Sequence, residues 1–122
     1  MALGVSAVMW LGVLWGISEI ARAFSAPAPK CPGQVCVFTG PGGVINEWRL
    51  AAQMAALAGK TIVVPAGKLC GSACVIALGE IMLPPWNADV RISPKARIIW
   101  GHDPKLLRKY PMPDSLRRRA IG

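Results

Sequence analysis

At 122 residues the chain has room for one domain. It is 53% hydrophobic and only 16% charged, yet carries a formal net charge of +8. The apolar and basic excesses are unevenly placed along the chain.

No charged residue lies between Ala2 and Ser18, where Trp10, Leu11, Val13, Leu14, Trp15 and Ile17 predict an N-terminal hydrophobic helix. Its length of about 17 residues falls between a signal-peptide core of roughly 7–15 and a spanning helix of roughly 20. Ala21-Arg22-Ala23 then offers a small-x-small cleavage site, although no Lys or Arg precedes the run and Glu19 stands near its end. Residues 1–23 are read as an export signal or an uncleaved anchor, with a buried core helix as the third alternative. The first two agree on an exported domain, in the bacterial periplasm, secreted or anchored in the inner membrane. Any membrane association would run through residues 2–20. Residues 24–33 form a Pro-rich spacer before a core expected over 34–104.

The cysteines agree with export. Cys31, Cys36, Cys70 and Cys74 are an even set in a small domain, which favours disulfides outside the cytosol. Three pairings are open; nearest-neighbour pairing needs the least chain rearrangement. Spacings of x4 and x3 and a single histidine argue against a zinc site. No metal and no cofactor is expected.

Along the core, "QVCVFTG" (Gln34–Gly40) alternates like a strand and stops at the glycine-rich turn Gly40–Gly43. Val44, Trp48, Ala51, Ala52, Ala55 and Ala58 recur at spacings of three and four, one face of a helix, with Gly59 as its stop. "TIVV" (Thr61–Val64) predicts a short buried strand closed by Pro65. "KLCGSAC" is read as a second small-residue turn, leading into a largely buried helix over Ser72–Leu83 in which Gly79 is a modest weakness. "DVRISPKARIIWGH" predicts a strand, a Ser-Pro turn and a strand over Ala96–Trp100. Strand, helix, strand, helix, strand implies α/β architecture: a small parallel sheet with crossover helices, preceded by the N-terminal hydrophobic helix. No internal repeat is visible.

Residues 105–122 form a basic C-terminal tail. Lys105, Arg108, Lys109, Arg117, Arg118 and Arg119 against Asp114 leave +5 of the chain's +8. Without an aromatic platform or a recognised motif beside Tyr110, nucleic acid is disfavoured relative to a solvated or membrane-contacting tail.

Both glycine-rich turns follow strands and open helices, so in a parallel sheet they lie at the carboxyl edge, where ligands bind. Backbone N–H groups unused at a helix start can stabilise developing negative charge. Ser72 sits at one such start among small neighbours, and His102 ends the next strand on the same edge. A serine needs a base to become nucleophilic, and imidazole is the usual one. The bland alternatives are specific: Ser72 as an N-cap, His102 as an ordinary strand-end residue, Gly42-Gly43 as a simple turn. Trp48, Trp86 and Trp100 read first as core or interface residues, although Trp100 shares a strand face with His102.

Taken in order, "VCVFTGPGGV", the Ala-rich helix, "TIVVPAGKLCGSAC" and "RISPKARIIWGH" resemble the Clp protease and crotonase-like superfamily, and in particular its exported bacterial branch. The resemblance covers Val35 to Pro104. It implies a hydrolase acting on a peptide or protein, with Ser72 as nucleophile and His102 as general base. The amides of Gly43 and Ala73 would hold the oxyanion. The family also has a strand–helix unit before the Gly-Gly strand and a longer helical region after the histidine that supplies the triad's acid. Here Asp103 adjoins the histidine and Asp114 lies in a Pro-flanked basic stretch, so the third member is expected to be missing or replaced by a backbone carbonyl, with weak or absent activity. The shortened sheet is expected to leave an open edge that a homo-oligomer would cover. The alternative is a non-catalytic, membrane-anchored interaction protein with a degenerate fold of the same type.

Overall fold

A computed structural model describes residues 25–121. The hydrophobic helix and the cleavage site expected within residues 1–23 lie outside the described residues. Among the described residues, no helix is long and apolar enough to cross a membrane.

The fold is mixed α/β. In chain order the elements are β1 (Val35–Val37), α1 (Ile45–Leu57), β2 (Thr61–Val64), β3 (Leu69–Gly71), α2 (Ala73–Met82), β4 (Asp89–Ile92), β5 (Arg97–Ile99), α3 (Pro104–Leu107) and α4 (Asp114–Ile121). Strands β1-β2-β4 form one parallel sheet and β3-β5 a second. The two are joined at Gly40, whose N–H donates to Leu69 O and whose carbonyl accepts from Gly71 N (2.7 and 2.9 Å). The β1 segment, paired to β2 as far as Phe38, thus crosses to β3 two residues later. Strand order in the second layer, Gly40–β3–β5, follows that of the first.

The expected single sheet is therefore split, for local reasons. Pro65 has no N–H to continue the β2 ladder, and Gly67 turns the chain at φ 75°. Ser93–Ala96 makes the equivalent turn between β4 and β5. Strand–turn–strand–helix consequently occurs twice, although the sequence shows no repeat. Part of "KLCGSAC", read as a turn, is strand β3.

α2 is apolar all round and buried all round, from Ala73 to Ile81 apart from Glu80, the condition expected of a core helix. Glu80 is held by Arg49 of α1, whose Nε and a terminal nitrogen both donate to Oε2 (2.9 and 2.6 Å), and by Gln53 on Oε1. Gly79 is a point of close approach: a Cβ there would run into Met112. On α1 the inward face is Trp48, Ala52 and Ala55. Trp48 packs edge-on against Phe38 (centroids 5.4 Å) and donates from Nε1 to Ala26 O. Each large side chain buried in this way is worth about 1.5–3 kcal/mol.

The C-terminal segment, read as a solvated or membrane-contacting tail, is partly packed into the core. Leu107, Met112, Leu116 and Ala120 are buried, and Leu116 and Ala120 sit four apart on one face of α4. Arg117 donates to the carbonyls of Leu107 and Tyr110, and Arg119 to those of Ser93 and Ala96. Trp100 N donates to Ala120 O, which seats the end of α4 beside β5. The first sheet has its open edges at β1 and β4, and Val35 and Val37 are exposed.

Candidate active site

Adjacent parallel strands carry the site. β3 pairs with β5, register Gly71 to Ile99, and Ser72 N donates to Ile99 O at 3.0 Å. Whatever follows β3 must then lie near whatever follows β5. Ser72 follows the first directly and His102 follows the second after two residues. Ser72 Oγ and His102 Nε2 are 3.2 Å apart. With the ring proton on Nδ1, Nε2 accepts from the hydroxyl.

Ser72 adopts φ 48°, ψ −111°, a conformation L-residues rarely take and one that costs on the order of 1–3 kcal/mol. A sharp, strained strand-to-helix turn of this kind lifts a side-chain oxygen clear of the backbone. Its hydroxyl makes no cap bond to α2, so the N-cap role is not the one it plays. The backbone carbonyl of Ser72 closes the first turn instead, accepting from Val75 N and Ile76 N. The helix begins at Ala73, one residue later than predicted.

On the other side of Ser72 stands the Gly-Gly turn. Gly42 has φ +94°, and a Cβ on it would lie 2.7–2.9 Å from Gly71 O, Ala73 N and Ser72 Cβ. Only glycine allows this backbone to pass so close to the serine turn. Gly43 and Ala73 border the same cleft as Ser72 and His102. Neither their N–H groups nor their neighbours' geometry shows a backbone acceptor for these two amides among the described residues.

The cysteines pair as nearest neighbours, Cys31–Cys36 and Cys70–Cys74. All four thiols are thereby removed from metal ligation. The second bridge spans Ser72, tying β3 to the first turn of α2.

His102 has no carboxylate partner among the described residues. Asp103 Oδ1 accepts from Lys105 N and caps α3, and Asp114 makes no bond to the imidazole. What the ring does have is Trp100, edge-on at 5.0 Å and 70°. The indole Nε1 donates to Asp103 O at 2.9 Å, so Trp100 both packs on the imidazole and bridges the turn that carries it. The sequence reads Trp100 first as a core or interface residue, and its place two positions before the histidine, on the same strand face, is the signal of this contact.

The cleft encloses about 320 Å³. Ile45, Leu106, Trp100 and Tyr110 make its apolar walls and Lys109 supplies its cation; among the described residues no carboxylate lines it. Compared with known proteins, the chain finds no match among family models, curated sequences or solved structures.

Proposed function

We propose that this chain is an exported serine hydrolase of the Clp protease and crotonase-like type, acting on peptides. One observation carries the reading: a hydroxyl on a strained strand–helix turn, 3.2 Å from an imidazole. Ser72 Oγ attacks the scissile carbonyl carbon while His102 Nε2 takes its proton. The oxygen of the tetrahedral intermediate gains negative charge facing the amides of Gly43 and Ala73. Collapse breaks the bond to the leaving amine, which receives the proton from His102. Water, deprotonated by the same imidazole, then releases the acyl group from Ser72.

With no carboxylate to orient His102, Trp100 takes over the positioning, and turnover is slow. The apolar walls and Lys109 favour a substrate with an apolar side chain and a nearby negative charge. Both disulfides support an oxidising compartment. Hydrolysis of a short chromogenic peptide, lost by at least about a hundredfold in Ser72→Ala, tests the assignment; an unchanged rate rejects it.

The second reading, a non-catalytic membrane-anchored interaction protein with a degenerate fold, is favoured by the missing carboxylate at His102. A mature chain that retains residues 1–23 and hydrolyses nothing would decide for it.

A further inference from the structure

Beside α4 lies a feature the hydrolase reading does not use. Arg108, Arg117, Arg118 and Arg119, with Ile121, line an open groove of about 600 Å³. It shares no lining residue with the cleft. Among the described residues no carboxylate pairs with these four arginines: the ion pairs there are Arg49–Glu80 and Arg91–Asp89.

Two of the four are fixed in place. Of the five N–H donors a guanidinium carries, Arg117 uses two, on Leu107 O and Tyr110 O, leaving three. Arg119 uses the two of one terminal nitrogen, on Ser93 O and Ala96 O, also leaving three. Their carbonyl partners are neutral, so the full charge of each remains. Arg108 and Arg118 are exposed and make no hydrogen bond or ion pair among the described residues, so all their donors are open. Arg117 and Arg119 are thus held in place by their carbonyl partners, and Arg108 and Arg118 reach into solvent.

We propose that this groove binds a ligand carrying two or more phosphate groups. Guanidinium forks match phosphate oxygens in pairs. A single carboxylate would leave most of the charge unanswered, whereas a pyrophosphate-type ligand supplies both the charge and enough acceptors. The same chemistry is presented by a soluble polyphosphate and by the headgroups of an anionic phospholipid surface.

The test uses the full chain and the Arg108→Gln/Arg118→Gln double variant, which leaves the bonds of Arg117 and Arg119 intact; far-UV circular dichroism verifies its fold. Titration calorimetry with inorganic pyrophosphate forms one arm, at constant ionic strength set by sodium chloride. Sedimentation with vesicles of equal parts phosphatidylglycerol and phosphatidylcholine, against phosphatidylcholine alone, forms the other. Saturable pyrophosphate binding weakened at least tenfold in the double variant supports a soluble ligand. Phosphatidylglycerol-dependent sedimentation lost in the double variant, without pyrophosphate binding, supports the lipid source. If neither is bound, or if the double variant binds both as the wild type does, the groove is not a phosphate site. Ser72→Ala should behave as wild type in both arms.

Discussion

Trp100 meets the edge of His102 at 5.0 Å and closes the turn beyond it by donating to Asp103 O. The imidazole is therefore held by packing and by a pinned backbone, where a triad would use a carboxylate. Trp100→Phe keeps the ring and loses the hydrogen bond; Trp100→Ala loses both. Because small misplacements of a catalytic group are costly, kcat should fall on the order of tenfold in the first and a hundredfold in the second. Steady-state kinetics checks this, and an unchanged kcat in Trp100→Ala would show that the ring is held by something else.

Strain at Ser72 predicts a separation of stability from activity. Glycine relieves a φ of 48° but loosens the unfolded chain, costing roughly 0.5–1 kcal/mol against roughly 1–3 kcal/mol recovered. Ser72→Gly should be inactive and at least as stable as the wild type in urea unfolding. A loss of more than about 1 kcal/mol would mean the serine stabilises its own turn.

At Gly42 the opposite holds. A methyl group there faces both a positive φ and three atoms of the serine turn. Gly42→Ala should lose about 1–3 kcal/mol and most activity, because relief requires Ser72 or Ala73 to move. Normal activity at normal stability would place the Gly-Gly turn away from the chemistry.

The Cys70–Cys74 bridge closes a very short loop around Ser72. Loop-closure entropy gives such a bridge about 2 kcal/mol. The double variant Cys70→Ser/Cys74→Ser should melt lower by on the order of 10 °C and lose activity in parallel. Calorimetry with and without reductant makes the comparison, and identical midpoints would remove the clamp from the account.

Asp89 lies opposite Thr61 in the β2–β4 register. Its carboxyl is held below the usual carboxylate value, first by its hydrogen bond from Arg91 and also by that from Thr61. A lowered folded value means the stability it lends is present above the unfolded value and lost as pH falls through the folded one. Asp89→Asn should remove that small contribution at neutral pH and leave acid pH unaffected, which flattens the acid limb slightly in pH-dependent thermal melts.

Much of this was legible because it is local. Thr61–Val64 is a β-branched run stopped by Pro65, and α1 follows from apolar residues at helical spacing. Cys70 and Cys74 needed only a short reach to pair. Ser72 and His102 were expected at the carboxyl edge of one sheet; they do lie together, but by way of β3 and β5 in the second layer. β3 was hidden because three residues carry no period; Leu69–Gly71 is a strand only through Gly40 and β5, both distant in sequence. α4 was hidden because "DSLRRRAI" is polar overall and its stripe is just Leu116 and Ala120. That Arg117 and Arg119 serve backbone carbonyls depends on where those carbonyls end up, which no spacing in the sequence encodes.

The most direct measurement is mass spectrometry of the chain after reaction with a fluorophosphonate. The account predicts one adduct, on the peptide bearing Ser72, absent in Ser72→Ala and strongly slowed in His102→Ala. A label on any other residue, or equal labelling of Ser72→Ala, would contradict it.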